Sequence, residues 1–548
     1  MSAPDGLRAG PSLSKLSATE WLVLVAVTFL GAALRVWYQH ERSFSGDEVG
    51  TLVCMQESPA HILSNFGPWL SMNYFILLEK GLAAAFGPSP GVLTAVPLAA
   101  AVCTIPLIFV LASSFCSRRG ALIAAALAAA NAYLVEFSPV IRSYSLLVAL
   151  TLATVILFLR WRERPTPGRG AACAAAATVL CLVHMVGIYV WAGLGLLAVA
   201  SWVARVRAGT PAARILAEAR DLGLPFLAGG VVLLLAYARL FAAIRTTNAE
   251  WTEPAPSSID YLPFAFSTYF AIGRWGLAAG LFLALGTWAA IREERHLLVL
   301  WFLTLMPVCA MSLQGVTSTP WGHARFLMFT LPFLLVLVAA GIGQASRALA
   351  EPRRAWLAWG LTLLLILTWM PALRTRFARK RDMPWAEVAR VLESLPPETE
   401  IVATSLRDNL QLRPLEMESG REVLTLSELL RAGARPGQAG LRVVYVNSFE
   451  PIQTEADSTR HGRIQVIAYE GDSLRRFVTR LHADLVRTTG ERTAAELEPL
   501  YASLVESSEY LGLRDEAQKF RQLKGQSHQY KLRAQKLPGS QAESDPDR

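Results

Sequence analysis

Two adjacent carboxylates, Asp47 and Glu48, stand in the stretch SGDEVGT, shortly after the first long apolar run of the chain. A carboxylate can accept the proton of a hydroxyl acceptor and support positive charge growing on a neighbouring carbon. Two of them side by side can instead hold a divalent cation through oxygen ligands, or simply cap a helix. Arg142, in EFSPVIRSYS, and Arg325, in TPWGHARFLMF, are cations of the kind that hold a phosphate through paired hydrogen bonds. Their plain alternative is anchoring in lipid headgroups. His184, in VLCLVHMVGIYV, and His323 add imidazoles, which are ligands or core residues according to their surroundings. Glu136 lies close enough to Arg142 to pair with it across a turn. No Gly-rich phosphate loop of either common spacing is present. The six cysteines form neither a zinc spacing nor a disulfide framework.

The elements that must position these groups are membrane helices. The chain has 548 residues, 53% hydrophobic and only 17% charged, against roughly 25% charged in soluble domains. Apolar runs of spanning length recur through its first two thirds, and continuous runs of this kind satisfy their backbone in lipid as helices. Eleven spans are expected, at 20–38, 91–113, 120–136, 143–160, 171–187, 188–204, 222–242, 275–291, 297–313, 325–345 and 355–373. The segment 71–87 carries Glu79 and Lys80 near its middle. An adjacent acid and base at the bilayer centre cost ~2.5–3.5 kcal/mol each, so this segment reads as an interfacial or re-entrant helix. Loop charge supports that reading. With eleven spans and the N-terminus inside, the cytoplasmic pieces hold 17 Lys and Arg and the short external loops five, as the positive-inside rule demands. The net charge of +9 is thereby topological arginine, and nucleic acid is not an expected partner.

This topology gathers the polar residues on one side. Asp47 and Glu48 fall in the first external loop, spanning 39–90. Glu136 and Arg142 fall at the outer turn between the third and fourth spans. His184 lies near the outer end of the fifth, and His323 and Arg325 at the outer start of the tenth. An external loop over 244–274 holds Trp251, Asp260, Tyr261, Tyr269 and Arg274; its aromatic residues read as belt residues or as a cover for a donor. A transporter or flippase needs acids, histidines or broken polar helices near the midplane, and the expected spans lack them. An enzyme acting on a lipid-linked substrate needs its polar groups at headgroup depth. In sugar transfer from a polyprenyl phosphate the anomeric carbon gains positive character and the phosphate leaves with added negative charge. Asp47 suits the first need, and Arg142 and Arg325 the second. A lipid-linked donor also explains the missing nucleotide cradle.

Beyond residue 374 the chain is expected outside. Strand-like runs at EIVAT, LRVVYV and IQVIAY, separated by helix-like segments, suggest a small α/β domain over 375–471 with a largely parallel sheet. Helical periodicity follows over 472–536 as a hairpin or tail, and 537–548 reads as disordered.

These residues resemble those of the integral-membrane GT-C glycosyltransferases, in particular the protein-mannosyltransferase-like family that includes lipid A aminoarabinose transferases. The resemblance rests on SGDEVGT, on EFSPVIRSYSLLVAL with its Arg142 and Tyr144, on VLCLVHMVGIYV with His184, and on ARFLMFTLPFLLVLVAAG with Arg325. It extends over about residues 20–470. It implies a helical polytopic fold with an external C-terminal domain, in the inner membrane of a bacterium. It further implies inverting transfer from a polyprenyl-phosphate sugar donor to a lipid, protein or glycan acceptor at the periplasmic face. By resemblance Asp47 is the catalytic carboxylate, with Glu48 beside it, and Arg325 meets the lipid phosphate. Arg142, Tyr144, His184 and His323 complete the substrate site. Where many members carry a His-Pro or Lys-Pro-Pro element, this chain reads GPWLSMNYFILL, so that Asn73 and Tyr74 take that place; this leaves the sugar and acceptor open. No cofactor is expected, a divalent ion at Asp47 and Glu48 being the alternative. Competing functions are an oligosaccharide ligase, a transporter or flippase of lipid-linked sugars, and an assembly role for the external domain.

Overall fold

The computed structural model describes residues 16–40, 46–64, 72–251, 267–270, 276–313, 324–381 and 385–395, together with five strands between 399 and 469, Thr479, Val505 and 514–523. The chain divides into two compact units. One comprises Met1–Glu41 and Cys54–Phe377, the other Arg42–Val53 and Ala378–Arg548.

The first unit is a helix bundle. Its elements are α1 (Ala18–His40), α2 (Gly46–Gln56, which begins in the other unit), α3 (Pro59–Ser64), α4 (Asn73–Phe86), α5 (Pro90–Ala112), α6 (Arg118–Ala130), α7 (Ala132–Glu136), α8 (Tyr144–Glu163), α9 (Pro167–Val183), α10 (Gly187–Arg207) and α11 (Ala212–Trp251). They continue with α12 (Gly276–Arg292), α13 (Leu298–Leu313), α14 (Leu331–Ala345) and α15 (Arg353–Arg381). Among the described residues seven helices are long and apolar enough to cross a membrane: α1, α5, α8, α10, α11, α15, and α14 with the turn before it. Shorter apolar helices include α9, α12 and the first part of α13. The protein is thus a multi-pass membrane protein. The stretch 120–136 is not one helix. It breaks at Asn131, whose Oδ1 accepts from the Tyr133 and Leu134 amides at 3.1 Å and so starts α7.

Local chemistry explains most boundaries. Ser89 caps α5, Ser117 caps α6 and Thr166 caps α9, with Pro90 and Pro167 in the first turns of α5 and α9. The helix α4 has 14 residues and packs through Met72, Phe75 and Ile76. Lys80 leaves this apolar face and donates to the Met55 and Glu57 carbonyls at 2.6 and 3.0 Å.

The expected spans lack acids and histidines near the midplane, but α1 buries an arginine that the sequence reading passed over. Arg35 is fully buried and donates to the carbonyls of Gly31, Ala128 and Ala129 at 2.9, 3.1 and 2.9 Å. The last two belong to the C-terminal end of α6, which has no amides of its own to satisfy them. A guanidinium there also meets the negative end of the helix dipole.

The second unit carries helix α16 (Trp385–Glu393) and strands β1 (Thr399–Ala403), β2 (Leu424–Thr425), β3 (Arg442–Asn447), β4 (Ser458–His461) and β5 (Ile464–Tyr469). The sheet order is β2-β1-β3-β5-β4. Strands lie at the three stretches expected, but the sheet is mixed rather than largely parallel. β1 runs parallel to β2 and β3, whereas β5 is antiparallel to both β3 and β4. The reason is local: β4 and β5 are separated by only Gly462 and Arg463, a hairpin connection that forces antiparallel pairing. The helix-like segments between the earlier strands lie outside the described residues. So do most of 472–536, apart from a helix over 514–523, and all of 537–548.

Candidate functional site

His184 is held by the turn that joins α9 to α10. It is the first residue past α9, with extended backbone, and its amide still donates to the Leu180 carbonyl at 3.1 Å. Tyr237 of α11 donates to the Cys181 and Leu182 carbonyls at 2.7 and 3.2 Å, satisfying the end of α9. The turn closes on Gly187, where a Cβ would come within 2.9 Å of the Leu180 carbonyl. In this frame the His184 ring is fully buried, and its Nδ1 accepts from the Val186 amide at 3.3 Å. The neutral ring therefore carries its proton on Nε2. That Nε2–H has no hydrogen-bond partner among the described residues.

Arg142 and Tyr144 flank Ser143 at the start of α8. Arg142 is buried, with Nη1 4.0 Å from Met72 Sδ, and the Ser143 hydroxyl lies 3.5 Å from the same sulfur. The start of α4 is thereby seated against the start of α8. Tyr144 is also buried, and its ring meets three others. Phe137 stands edge-on at 5.5 Å, His184 at 6.0 Å and Phe326 at 6.1 Å between centroids. Phe326 lies 5.8 Å from His184, and the Arg325 guanidinium carbon sits 5.4 Å above the Phe326 ring. Four sequence-predicted residues from three helix ends, namely Arg142, Tyr144, His184 and Arg325, therefore belong to one cluster, in which the first three are buried and Arg325 is half-buried.

The cluster continues through Phe137 and Tyr133, which the sequence reading did not single out, to Tyr269 of the expected external loop. Phe137 lies 4.7 Å from Tyr133 with the planes inclined at 45°, and Tyr133 lies 5.2 Å from Tyr269 with the planes inclined at 56°. Tyr269 donates its hydroxyl to the Ala324 carbonyl at 2.7 Å, and Asn131 donates to the Tyr269 carbonyl at 3.0 Å. The Arg376 guanidinium lies 5.2 Å over the Tyr133 ring and pairs with Glu136, the acid expected to pair with Arg142. The available signal was the spacing of Tyr133 and Phe137, one helical turn apart beside the break at Asn131.

Two further predicted residues make other contacts. Asn73 is buried at the start of α4 and donates to the Ile62 carbonyl at 2.5 Å, which gives it a role in joining α3 to α4. Tyr74 stands edge-on to Tyr237 at 6.2 Å. Glu48 is fully buried in α2, within the stretch that belongs to the second unit. Asp47 lies in the first turn of the same helix, and its side chain is outside the described residues, as is His323. Among the described residues no group of three or more His, Cys, Asp or Glu side chains gathers as a metal site.

Chemically the cluster combines guanidinium groups and an N–H donor against aromatic walls, and Arg142 and His184 are buried there. Such a setting strengthens their attraction for an anion.

No family model matches the chain, and no curated protein does. Solved structures do. ArnT from Cupriavidus metallidurans, in the apo state and bound to undecaprenyl phosphate, superposes with a TM-score of 0.53 in each case, at 14% identity. The match covers 82% of this chain and 98% of ArnT. The archaeal oligosaccharyltransferase AglB from Archaeoglobus fulgidus, in complex with an inhibitory peptide and a dolichol-phosphate, gives a TM-score of 0.44 at 13% identity, covering 78% of this chain and 69% of AglB. The chain thus shares its fold with ArnT, and the GT-C resemblance read from its motifs holds at the level of the fold.

Proposed function

We propose that this protein is a membrane glycosyltransferase that moves a sugar from a polyprenyl-phosphate donor to a lipid, protein or envelope glycan, with inversion. The observation that carries the reading is the cluster of Arg142, Tyr144, His184, Phe326 and Arg325, whose His184 Nε2–H has no hydrogen-bond partner among the described residues. A lipid phosphate suits it: the headgroup is anionic, sits at helix-end depth and gains charge as the sugar leaves. The fold shared with ArnT, which has been seen with undecaprenyl phosphate bound, supports the same donor class. Asp47 takes the acceptor proton in this proposal, and Glu48 orders the helix that carries it. The proposal keeps eleven spans, a cytoplasmic N-terminus and a periplasmic C-terminal α/β domain, in a bacterial inner membrane.

The test uses the full-length protein in proteoliposomes with undecaprenyl-phosphate sugars and envelope extract as acceptor. Radiolabel should pass from donor to acceptor, and Asp47→Asn should abolish transfer while undecaprenyl-phosphate binding persists. A fully active Asp47→Asn protein removes the proposed base. Uptake of intact donor into the vesicles without any bond breaking would establish a flippase instead.

A further inference from the structure

A second polar site lies at the other end of α6. That helix ends at Asn131 beside the cluster just described and begins at Arg118, about 20 Å away at 1.5 Å per residue. Where it begins, a cavity of about 470 Å³ opens between α1, α6 and α15, within the roughly 300–1,000 Å³ range of small-molecule sites.

Its lining is graded. At the polar end are Arg118, Arg119 and Arg354, with Glu20 and Glu351. Arg118 pairs with Glu20 at 3.2 Å and Arg119 with Glu351 at 2.7 Å. The third arginine is left over. Arg354 acts on Glu351 electrostatically, but its side chain makes no hydrogen bond among the described residues. The helices α1, α6 and α15 all begin here, so their unsatisfied amides and dipoles add positive potential. Ser117 and the Ser17–Glu20 capping pair already serve two of these starts. The floor is apolar: Val23, Leu122 and Trp359 stand about one turn deeper on the same three helices.

An adjoining cavity of about 530 Å³ shares Ser117 and Arg354 but differs in charge. There Arg347 is engaged by both Glu293 and Glu294, and His296 is bonded to the Phe115 carbonyl at 3.1 Å. Two carboxylates share one arginine there, which disfavours an anion, so Arg354 is placed to serve an anion in the first cavity.

We propose that the cavity lined by Arg118, Arg119, Arg354 and Trp359 binds the phosphate of an anionic phospholipid, with the glycerol and first methylenes on the apolar floor. A phosphate diester offers oxygens to the arginine that lacks them, and the mouth sits at a bundle end, where bilayer phosphates lie. Free inorganic phosphate offers the same oxygens but would leave Val23, Leu122 and Trp359 facing water. The site is separate from the proposed transferase cluster and does not rest on that activity.

Native mass spectrometry of the detergent-purified full-length protein tests this, with phosphatidylglycerol and phosphatidylcholine supplied in equal amounts. Wild-type protein should retain phosphatidylglycerol preferentially. Arg354→Gln should reduce that preference about tenfold, the effect of losing one charge-assisted hydrogen bond. Arg207→Gln, an exposed arginine outside the cavity, should leave it unchanged. Trp359→Ala removes floor but no charge and should also lower retention, which keeps the test valid should Arg354→Gln fail to fold. Equal retention by wild type, Arg354→Gln and Trp359→Ala overturns the site. Displacement of the lipid by inorganic phosphate at equal concentration overturns the lipid assignment and makes the ligand free phosphate.

Discussion

The imidazole of His184 lies 6.0 Å from the phenol ring of Tyr144, centroid to centroid, with their planes inclined at 37°. The two residues belong to different helix ends, and each is buried. Phe326 closes the triangle from a third segment. Its Nδ1 accepts from the Val186 amide at 3.3 Å, so the ring presents Nε2–H as its donor.

The ring should therefore carry its proton on Nε2. Ring-labelled histidine NMR checks the point, with His184→Gln for assignment. The His184 signals should be those of the Nε2–H tautomer, and a proton on Nδ1 would mean that the Val186 amide does not hold the ring.

If Arg142 holds a phosphate in the way its burial suggests, lysine cannot replace it. Lysine offers a point charge without the planar fork that meets two oxygens at once. Arg142→Lys should weaken undecaprenyl-phosphate binding by about 10- to 100-fold, in keeping with the loss of a charge-assisted hydrogen bond, while the protein still elutes as a folded species. Binding measured by microscale thermophoresis decides it; unchanged affinity would place the phosphate elsewhere.

The cluster was legible as a set of residue types before it was legible as a place. Arg142, Tyr144, His184 and Arg325 stand out because each interrupts or borders an apolar run. Their meeting depends on three helix ends arriving together, which no local pattern records. Arg35 shows the opposite failure. It sits inside the first apolar run, where its charge reads as an exception, and only the neighbouring end of α6 explains it. The mixed sheet was missed for a related reason. Strand positions follow from alternation and β-branched content, but direction depends on the length of each connection. Glu136 had two arginines within reach, and choosing Arg376 required knowing where α15 lies.

Glu79 makes a prediction of its own. The residue is fully buried on the packed face of α4, and neither carboxyl oxygen has a hydrogen-bond partner among the described residues. Burial pushes its pKa up to about 8. At neutral pH the folded protein holds it protonated, whereas the unfolded chain does not. Stability from this group is greatest in acid and falls as pH rises from about 4.5 to 8. Glu79→Gln should abolish that slope, so the stability gained by the variant should grow from pH 5 to pH 8 in thermal unfolding. A constant difference at all pH values would mean that Glu79 is ionised and has found a partner.

The closest helix crossing yields the last prediction. At Gly286 of α12 a Cβ would collide with the Leu337 carbonyl of α14, and at Gly341 of α14 with the Phe282 carbonyl of α12. Both obstacles are backbone, so no rotamer change relieves them, and the helices must part. Gly341→Ala should destabilise by about 1–3 kcal/mol, the usual range for overpacking. Gly286→Ala should do the same. The two clashes share one crossing, and once the first substitution has separated the helices the second meets less resistance. The double variant should therefore lose clearly less stability than the two single losses combined, a coupling of the kind seen between residues in contact. Gly343→Ala is the control. Nothing lies within 4 Å of its added Cβ, and alanine is the better helix former by about 1 kcal/mol, so that variant should match or exceed the parent in detergent melting. Full additivity of the Gly286 and Gly341 effects would show that these helices do not cross at this point.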